Sequence, residues 1–248
     1  MSATLASMAE QDYSKRAVNR AGERLRKSSG GGVRPPDDPE LDAAREIVDY
    51  WRGLHAVPLS KVAAGLRYYL RKAGADERSV TQRLKRFDTI VEKLDRHPGT
   101  LTQMEDIGGV RAVLPEQTMV DGVVASLKRR WNVRRLRQYI DGQEPGPKSD
   151  GYRAVHVIVV KDDRFIEIQL RTGWQDRWAQ SVERDARRLG QPLKFGGGED
   201  DLRAYYRLVA EQMAAARAGQ PLPIELRREI SRLYHATAHY YHSDEDVP

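Results

Sequence analysis

Apolar positions along the chain change period twice, from helical spacing to a mixed middle and back. Leu41, Ala44, Ile47, Val48, Trp51 and Leu54 recur at helical spacing, behind Asp38 as N-cap and Pro39 at the first helical position. A second amphipathic helix is predicted after Pro58 from Leu59, Val62, Leu66, Tyr69 and Leu70, with Gly74 as its stop. The middle switches to a period of two. Strands are predicted over 79–85, 110–114, 131–139, 152–160 and 165–170, with helices over 87–94 and 120–130 between them. Lys161-Asp162-Asp163-Arg164 has the length of a hairpin connection. Helices return over 174–189, from Leu202 through Tyr205 and Val209 to Met213, and over 224–241; Gly196-Gly197-Gly198 reads as a loop. Helices, then mixed strands and helices, then helices predict one α/β (α+β) domain, a mixed sheet of about five strands with helical extensions at both ends.

Residues 1–36 read as a basic, flexible tail, partly helical, or as a basic arm for nucleic acid, ending in Ser28-Ser29-Gly30-Gly31-Gly32 and Pro35-Pro36; 37–218 read as the domain, and 219–248 as a last helix and tail. Among 248 residues, Lys and Arg exceed Asp and Glu by 42 to 36, a net charge of +6. That excess suits an anionic partner such as a nucleotide or nucleic acid. There is no Cys, which excludes disulfides, thiol nucleophiles and Cys-ligated zinc. No apolar run is long enough for a bilayer and no signal-peptide pattern opens the chain, so a cytoplasmic protein with no membrane partner is expected.

Candidate chemistry lies between residues 83 and 183. Arg83, Lys85, Thr89 and Lys93 offer cations and a hydroxyl to phosphate oxygens. Asp106 precedes a Gly108-Gly109 turn and a strand carrying Arg111, a place for a hard cation. Lys148, Tyr152, Arg153 and His156 follow one another through a turn into a strand, and the tyrosine ring can stack on a nucleobase. Period-two alternation puts Glu167, Gln169 and Arg171 on one strand face, opposite the isoleucines. Polar groups there require partners or a task. Trp51, His55, Trp178 and Val182 read as packing residues. Two carboxylates among cations are the inventory of Mg²⁺-dependent phosphoryl transfer, and neither a P-loop nor a protein-kinase motif set is present.

Four motifs in fixed order carry a resemblance. R-x-K-x-x-x-[ST]-I-x-x-K runs from Arg83 to Lys93, D-I-x-G-x-R from Asp106 to Arg111, G-Y-R-x-x-H from Gly151 to His156, and E-I-Q-L-R-T from Glu167 to Thr172. Over roughly residues 40–215 the chain resembles the synthetase domain of the RelA/SpoT family, nucleotidyltransferase-like in fold. The resemblance implies transfer of the β,γ-pyrophosphate of ATP to a ribose 3′-hydroxyl. It implies that Arg83 and Arg111 sandwich adenine, that Lys85, Thr89 and Lys93 hold the donor phosphates, and that Asp106 and Glu167 bind Mg²⁺. Glu167 would also activate the acceptor hydroxyl, Tyr152 would stack on the acceptor base, Arg153 would bind the acceptor with them, and Lys148, His156, Gln169 and Arg171 would order phosphates. The acceptor stays open between GDP or GTP, the leading reading, and the 3′-terminal adenosine of tRNA.

The run Val182-Glu183-Arg184-Asp185, with Tyr50-Trp51-Arg52, is closer to the phage- and toxin-type branch, which would add an antitoxin as partner; a homo-oligomer is also compatible. With no His-Asp dipeptide, the resemblance implies no hydrolase activity. The basic run Lys128, Arg129, Arg130, Arg134, Arg135 and Arg137 reads as a solvated edge or anion site, or as an RNA track. A non-catalytic RNA-binding or regulatory protein on the same fold is the remaining alternative.

Overall fold

The computed structural model describes residues 12–29, 38–97, 99–190, 193 and 200–240. In chain order the elements are α1 (Lys15–Ser29), α2 (Pro39–Gly53), α3 (Ala56–Lys72), β1 (Thr81–Leu84), α4 (Phe87–Arg96), β2 (Gly108–Leu114), α5 (Gln117–Arg130), β3 (Val133–Tyr139), β4 (Ala154–Lys161), β5 (Arg164–Thr172), α6 (Gly173–Arg188), α7 (Asp200–Arg217) and α8 (Ile224–Thr237). The five strands form one sheet in the order β1-β2-β5-β4-β3. Only β2 and β5 pair in parallel; the other neighbours are antiparallel.

Local chemistry sets these elements. The Asp38 carboxylate accepts the Glu40 and Leu41 amides at 3.1 and 3.0 Å, capping α2 ahead of Pro39. At the end of α3, Gly74 takes φ +73, the Ala75 amide bonds to the Leu70 carbonyl and the Gly74 amide to that of Arg71. That pair of bonds is a Schellman stop. Asp162 and Asp163 both take positive φ in the two-residue β4–β5 turn, where short polar side chains tolerate the left-handed region. Lys61 of α3 holds the Asp162 carboxylate at 2.7 Å, fastening the hairpin to the helix layer.

One sheet face carries Val110, Ala112 and Leu114, then Ile166, Ile168 and Leu170, then Val155, Val157 and Val159. Helices α3 and α5 cover it through Leu59, Val62, Leu66, Val120, Val123 and Leu127. Gly65 of α3 lies under the Trp131 ring, where a Cβ would come within 2.6 Å of a ring carbon. Gly65→Ala would gain up to about 1 kcal/mol of helix propensity, but the half-buried clash costs about 1–3 kcal/mol. The expected result is a lower urea midpoint with an unchanged slope; a higher midpoint would show that the indole yields.

A second core corrects the N-terminal reading. Residues 15–29 are a packed helix, not part of a flexible tail. Val18, Ala21 and Leu25 of α1 are buried with Leu41, Ala44, Val48 and Trp51 of α2 and with Ile90 and Leu94 of α4. The apolar stripe is narrow and arginines surround it. Residues 1–11, the Gly30–Gly32 and Pro35-Pro36 linker, Pro98, the Gly196–Gly198 loop and residues 241–248 lie outside the described residues. A third cluster joins Trp178, Ala179 and Val182 of α6 to Leu202, Tyr206 and Ala210 of α7.

Candidate active site

Strand register builds the site on the face opposite α3 and α5. Cross-strand partners share a face. One row therefore reads Arg83, Gly109, Glu167, Ile158 and Arg135; the next reads Thr81, Arg111, Gln169, His156 and Arg137. Gly109 leaves a gap in the first row between Arg83 and Glu167, because no side chain fills its position.

Five side chains then close a ring of hydrogen bonds. Arg171 Nη2 donates to the Tyr152 hydroxyl and to Gln169 Oε1, both at 3.1 Å. Tyr152 and His156 Nε2 are 2.7 Å apart, and His156 Nδ1 lies 2.8 Å from Glu167 Oε1. Gln169 Nε2 donates to Glu167 Oε2 at 2.7 Å. One donor order makes every bond of the ring: the Tyr152 hydroxyl gives to Nε2, Nδ1–H gives to Glu167, and all donors run toward Glu167, while Arg171 Nε stays buried without a partner. Burial opposes the Glu167 charge, but the bonds from His156 and Gln169 and the Lys93 charge outweigh it, holding the carboxyl down to about 2. Burial pushes the Tyr152 phenol up to about 12, so it stays protonated and can donate.

Asp106 makes the second half. Lys85 and Lys93 reach its Oδ2 at 3.0 and 2.8 Å. Thr89 stands one turn before Lys93 on α4, and the Lys85 amide bonds to the Ile107 carbonyl, so α4 and the β2 entry are pinned together. Lys93 links the halves, paired with Asp106 and felt at Glu167. Asp106 Oδ1 is buried with no hydrogen-bond partner. A hard oxygen ligand left unpaired, on a carboxylate that shares the Lys93 charge with Glu167, fits Mg²⁺, which needs only one or two protein carboxylates when substrate phosphates complete its shell. Among the described residues no third His, Asp or Glu joins them as a metal cluster.

Other expected residues sort by what they touch. Arg83 is exposed at the sheet edge, and Arg111 lies on the same face with Nη1 3.4 Å from Asp176. Lys148 sits 4.8 Å from the Tyr139 and Tyr152 ring centres, and burial lowers its pKa. Arg153 is not delivered to an acceptor. Its Nε and Nη2 grip Asp141 at 2.9 Å each, and its Nη1 donates to the Gly151 carbonyl. It holds the loop instead. The basic run also loses its free character: Arg134, Arg135 and Arg137 converge on Glu105 at 3.6, 3.3 and 3.0 Å.

Three site residues escaped sequence reasoning. Asp176 fixes Arg171 Nη1 at 3.1 Å, Tyr139 packs 5.1 Å from the His156 ring, and Glu105 collects the β3 arginines. Tyr139 had a signal, since it ends a strand predicted beside the site. Asp176 and Glu105 had none, because their partners lie on other elements.

Comparison with known proteins follows the same boundaries. The family described as "Region found in RelA / SpoT proteins" matches residues 82–187. An uncharacterised protein of Mycobacterium tuberculosis, and another of Mycobacterium bovis, are 30% identical over 204 residues, 77% of this chain. The chain spans 66% of the length of these relatives. A guanosine-3′,5′-bis(diphosphate) 3′-pyrophosphohydrolase of Borreliella burgdorferi is 33% identical over 114 residues, 44% of this chain and 16% of that protein. In structure, small alarmone synthetase 2 of Bacillus subtilis aligns with TM-score 0.55 at 23% identity, over 68% of this chain and 95% of that one. Small alarmone synthetase 1 of Bacillus subtilis, bound to its product pppGpp, aligns with TM-score 0.51 at 20% identity, over 79% and 99%. Matched region, a mixed five-stranded sheet and a shared fold converge: residues 82–187 belong to the family region found in RelA/SpoT proteins.

Proposed function

We propose that the domain is a pyrophosphokinase that moves the β,γ-pyrophosphate of ATP onto the 3′-hydroxyl of GDP or GTP. The bond from the α,β-bridging oxygen to Pβ breaks, and AMP leaves with that oxygen. A bond forms between O3′ and Pβ, and the hydroxyl proton passes toward Glu167 and then solvent. The observation that carries this reading is the ring centred on Glu167, a permanently ionised carboxylate among cations.

A carboxylate held near 2 is a weak base. Phosphoryl transfer asks little of a base, because its transition state is loose and charge sits on phosphoryl oxygens. Glu167 therefore chiefly orients the hydroxyl by accepting its hydrogen bond, while Lys85, Lys93 and Arg171 face developing negative charge. Arg83 and Arg111, on one sheet face, flank the adenine, and Thr89 adds a hydroxyl for phosphate. Tyr152, with Lys148 beside it, receives the acceptor base; that solved synthetase 1 of Bacillus subtilis holds pppGpp supports a guanosine acceptor. Asp106 and Glu167 would hold Mg²⁺, which would supply positive charge against the donor phosphates. An RNA acceptor finds less support, since Glu105 already occupies three of the β3 arginines.

The test uses purified chain, Mg²⁺ and ATP labelled in the γ-phosphate, with GDP, GTP, ATP and deacylated tRNA offered separately. Label in guanosine tetra- or pentaphosphate is the expected result. Label only at the tRNA 3′ end would replace the acceptor assignment with the translation-toxin reading and its antitoxin. No labelled product with any acceptor would remove the enzymatic reading.

A further inference from the structure

The family region ends at residue 187, and α7 begins at Asp200. Yet α7 touches the loop that carries Tyr152. Gly151 takes φ +93, in the left-handed region, and a Cβ there would lie 2.8 Å from Ala210 Cβ and 3.1 Å from Arg207 Cα. Loop and helix backbones meet with only hydrogens between them. The Trp178 indole N–H of α6 donates to the Tyr206 carbonyl of α7 at 2.9 Å, and its ring packs 6.4 Å from that of Tyr152. The Tyr206 hydroxyl donates to the buried Asp185 carboxylate of α6, whose other donor is Arg184 Nε at 3.4 Å.

Leu202, Tyr206 and Ala210 form one stripe at i, i+4 spacing, and Tyr152 packs against the same cluster. Tyr152 is thus held twice. Arg171 and His156 fix its hydroxyl, while α7 and Trp178 confine its backbone and ring.

We infer that Tyr206 and Asp185 are a positioning pair, through which α7 sets where Tyr152 presents its ring and so sets acceptor affinity. The inference rests on the pyrophosphokinase reading for its kinetic consequence. Neither residue is among the groups assigned to ATP or to acceptor. Removing the Tyr206 hydroxyl strips a buried carboxylate of a donor, and the helix must shift to resolvate it. Gly151 then loses its wall. A displacement of an ångström in a positioning group is enough to change turnover markedly.

The test compares wild type with Tyr206→Phe, Asp185→Ala and Asp185→Asn, all as full chain, in initial rates varied separately in ATP and in GDP. Tyr206→Phe and Asp185→Ala are expected to raise the acceptor KM about tenfold with the ATP KM within about twofold. Asp185→Asn, which keeps an oxygen to accept the Tyr206 hydroxyl, is expected to stay near wild type. Equal rises in both KM values, or none, would overturn the inference. Amide exchange over residues 148–153 gives a readout independent of the reaction. It is expected to quicken in Tyr206→Phe relative to β4 and β5, and unchanged exchange overturns the inference. If Tyr206→Phe fails to fold, Ala210→Val, which presses on Gly151, is read the same way. A wild type without product on any acceptor would sink the pyrophosphokinase reading alone, and the positioning role would stand or fall on the exchange.

Discussion

Glu167→Gln is expected to lower kcat by about a hundred- to a thousandfold, the scale seen when a preorganised electrostatic group is removed from a transition-state site. The amide is nearly isosteric, so the loss is chemical. Gln169 Nε2 already points a donor at Glu167 Oε2, and an amide at 167 must place a donor of its own on one of the two oxygen positions. No flip of Gln169 repairs the conflict, because its Oε1 is needed by Arg171. With the amide toward Gln169 the ring opens at that link; with it toward His156 the imidazole must take its other tautomer, and in both cases the negative charge is gone. Stability carries the same signature. Because folding lowers this carboxyl from 4.5 to about 2, its contribution is fully present above about 4.5 and lost as pH falls toward 2. That contribution is a few kcal/mol at neutral pH. Urea midpoints of wild type and variant should therefore differ at pH 7, begin to close below about pH 4.5 and converge only as the pH nears about 2. A midpoint gap that persists at low pH, or a variant that turns over normally, would refute the role given to the ring.

Asp106→Asn should nearly match that loss in turnover while changing nucleotide binding in the opposite direction from a simple lesion. Lys85 and Lys93 both spend their charge on Asp106 Oδ2. An amide there frees two half-buried ammonium groups for triphosphate. Calorimetry without divalent cation should then show ATP bound as tightly as by wild type, or more tightly. With Mg²⁺ present the advantage should vanish, because the unpartnered Oδ1 no longer belongs to an anion. A kcat loss of about 10²–10³ with this split identifies a charge-neutralising carboxylate. Uniformly weaker binding in both conditions would instead mean that Asp106 merely holds α4 against the sheet.

The sheet and its functional face were legible because period two is a strong local signal. Glu167, Gln169 and Arg171 declare a polar face on an otherwise apolar strand, and the register then adds His156, Arg111 and Arg83 to it. What the sequence obscured depends on distant partners. Arg153 looks like an acceptor ligand until Asp141 is seen across the loop. The β3 arginines look unopposed until Glu105 arrives from before β2. Helix α1 was masked by composition: Val18, Ala21 and Leu25 have helical spacing, yet six cations around them read as solvent-facing charge. On α7 the expected stripe ran through Tyr205, whereas Tyr206 is the buried one, a shift of one residue that decides which hydroxyl meets Asp185.

The lone parallel pair has a temporal meaning. Gly109 meets Glu167 only because β2 lies beside β5, and α5, β3 and β4 must all be made before that edge can close. Such non-local pairing slows folding, since loop closure precedes any reward from contact. On a ribosome, a nascent chain that has already displayed Arg83, Lys85, Lys93 and Asp106 still lacks its central carboxylate. Reactive capacity therefore arrives in one late step, together with the middle strand of the sheet, and an incompletely synthesised chain has no partial version of it.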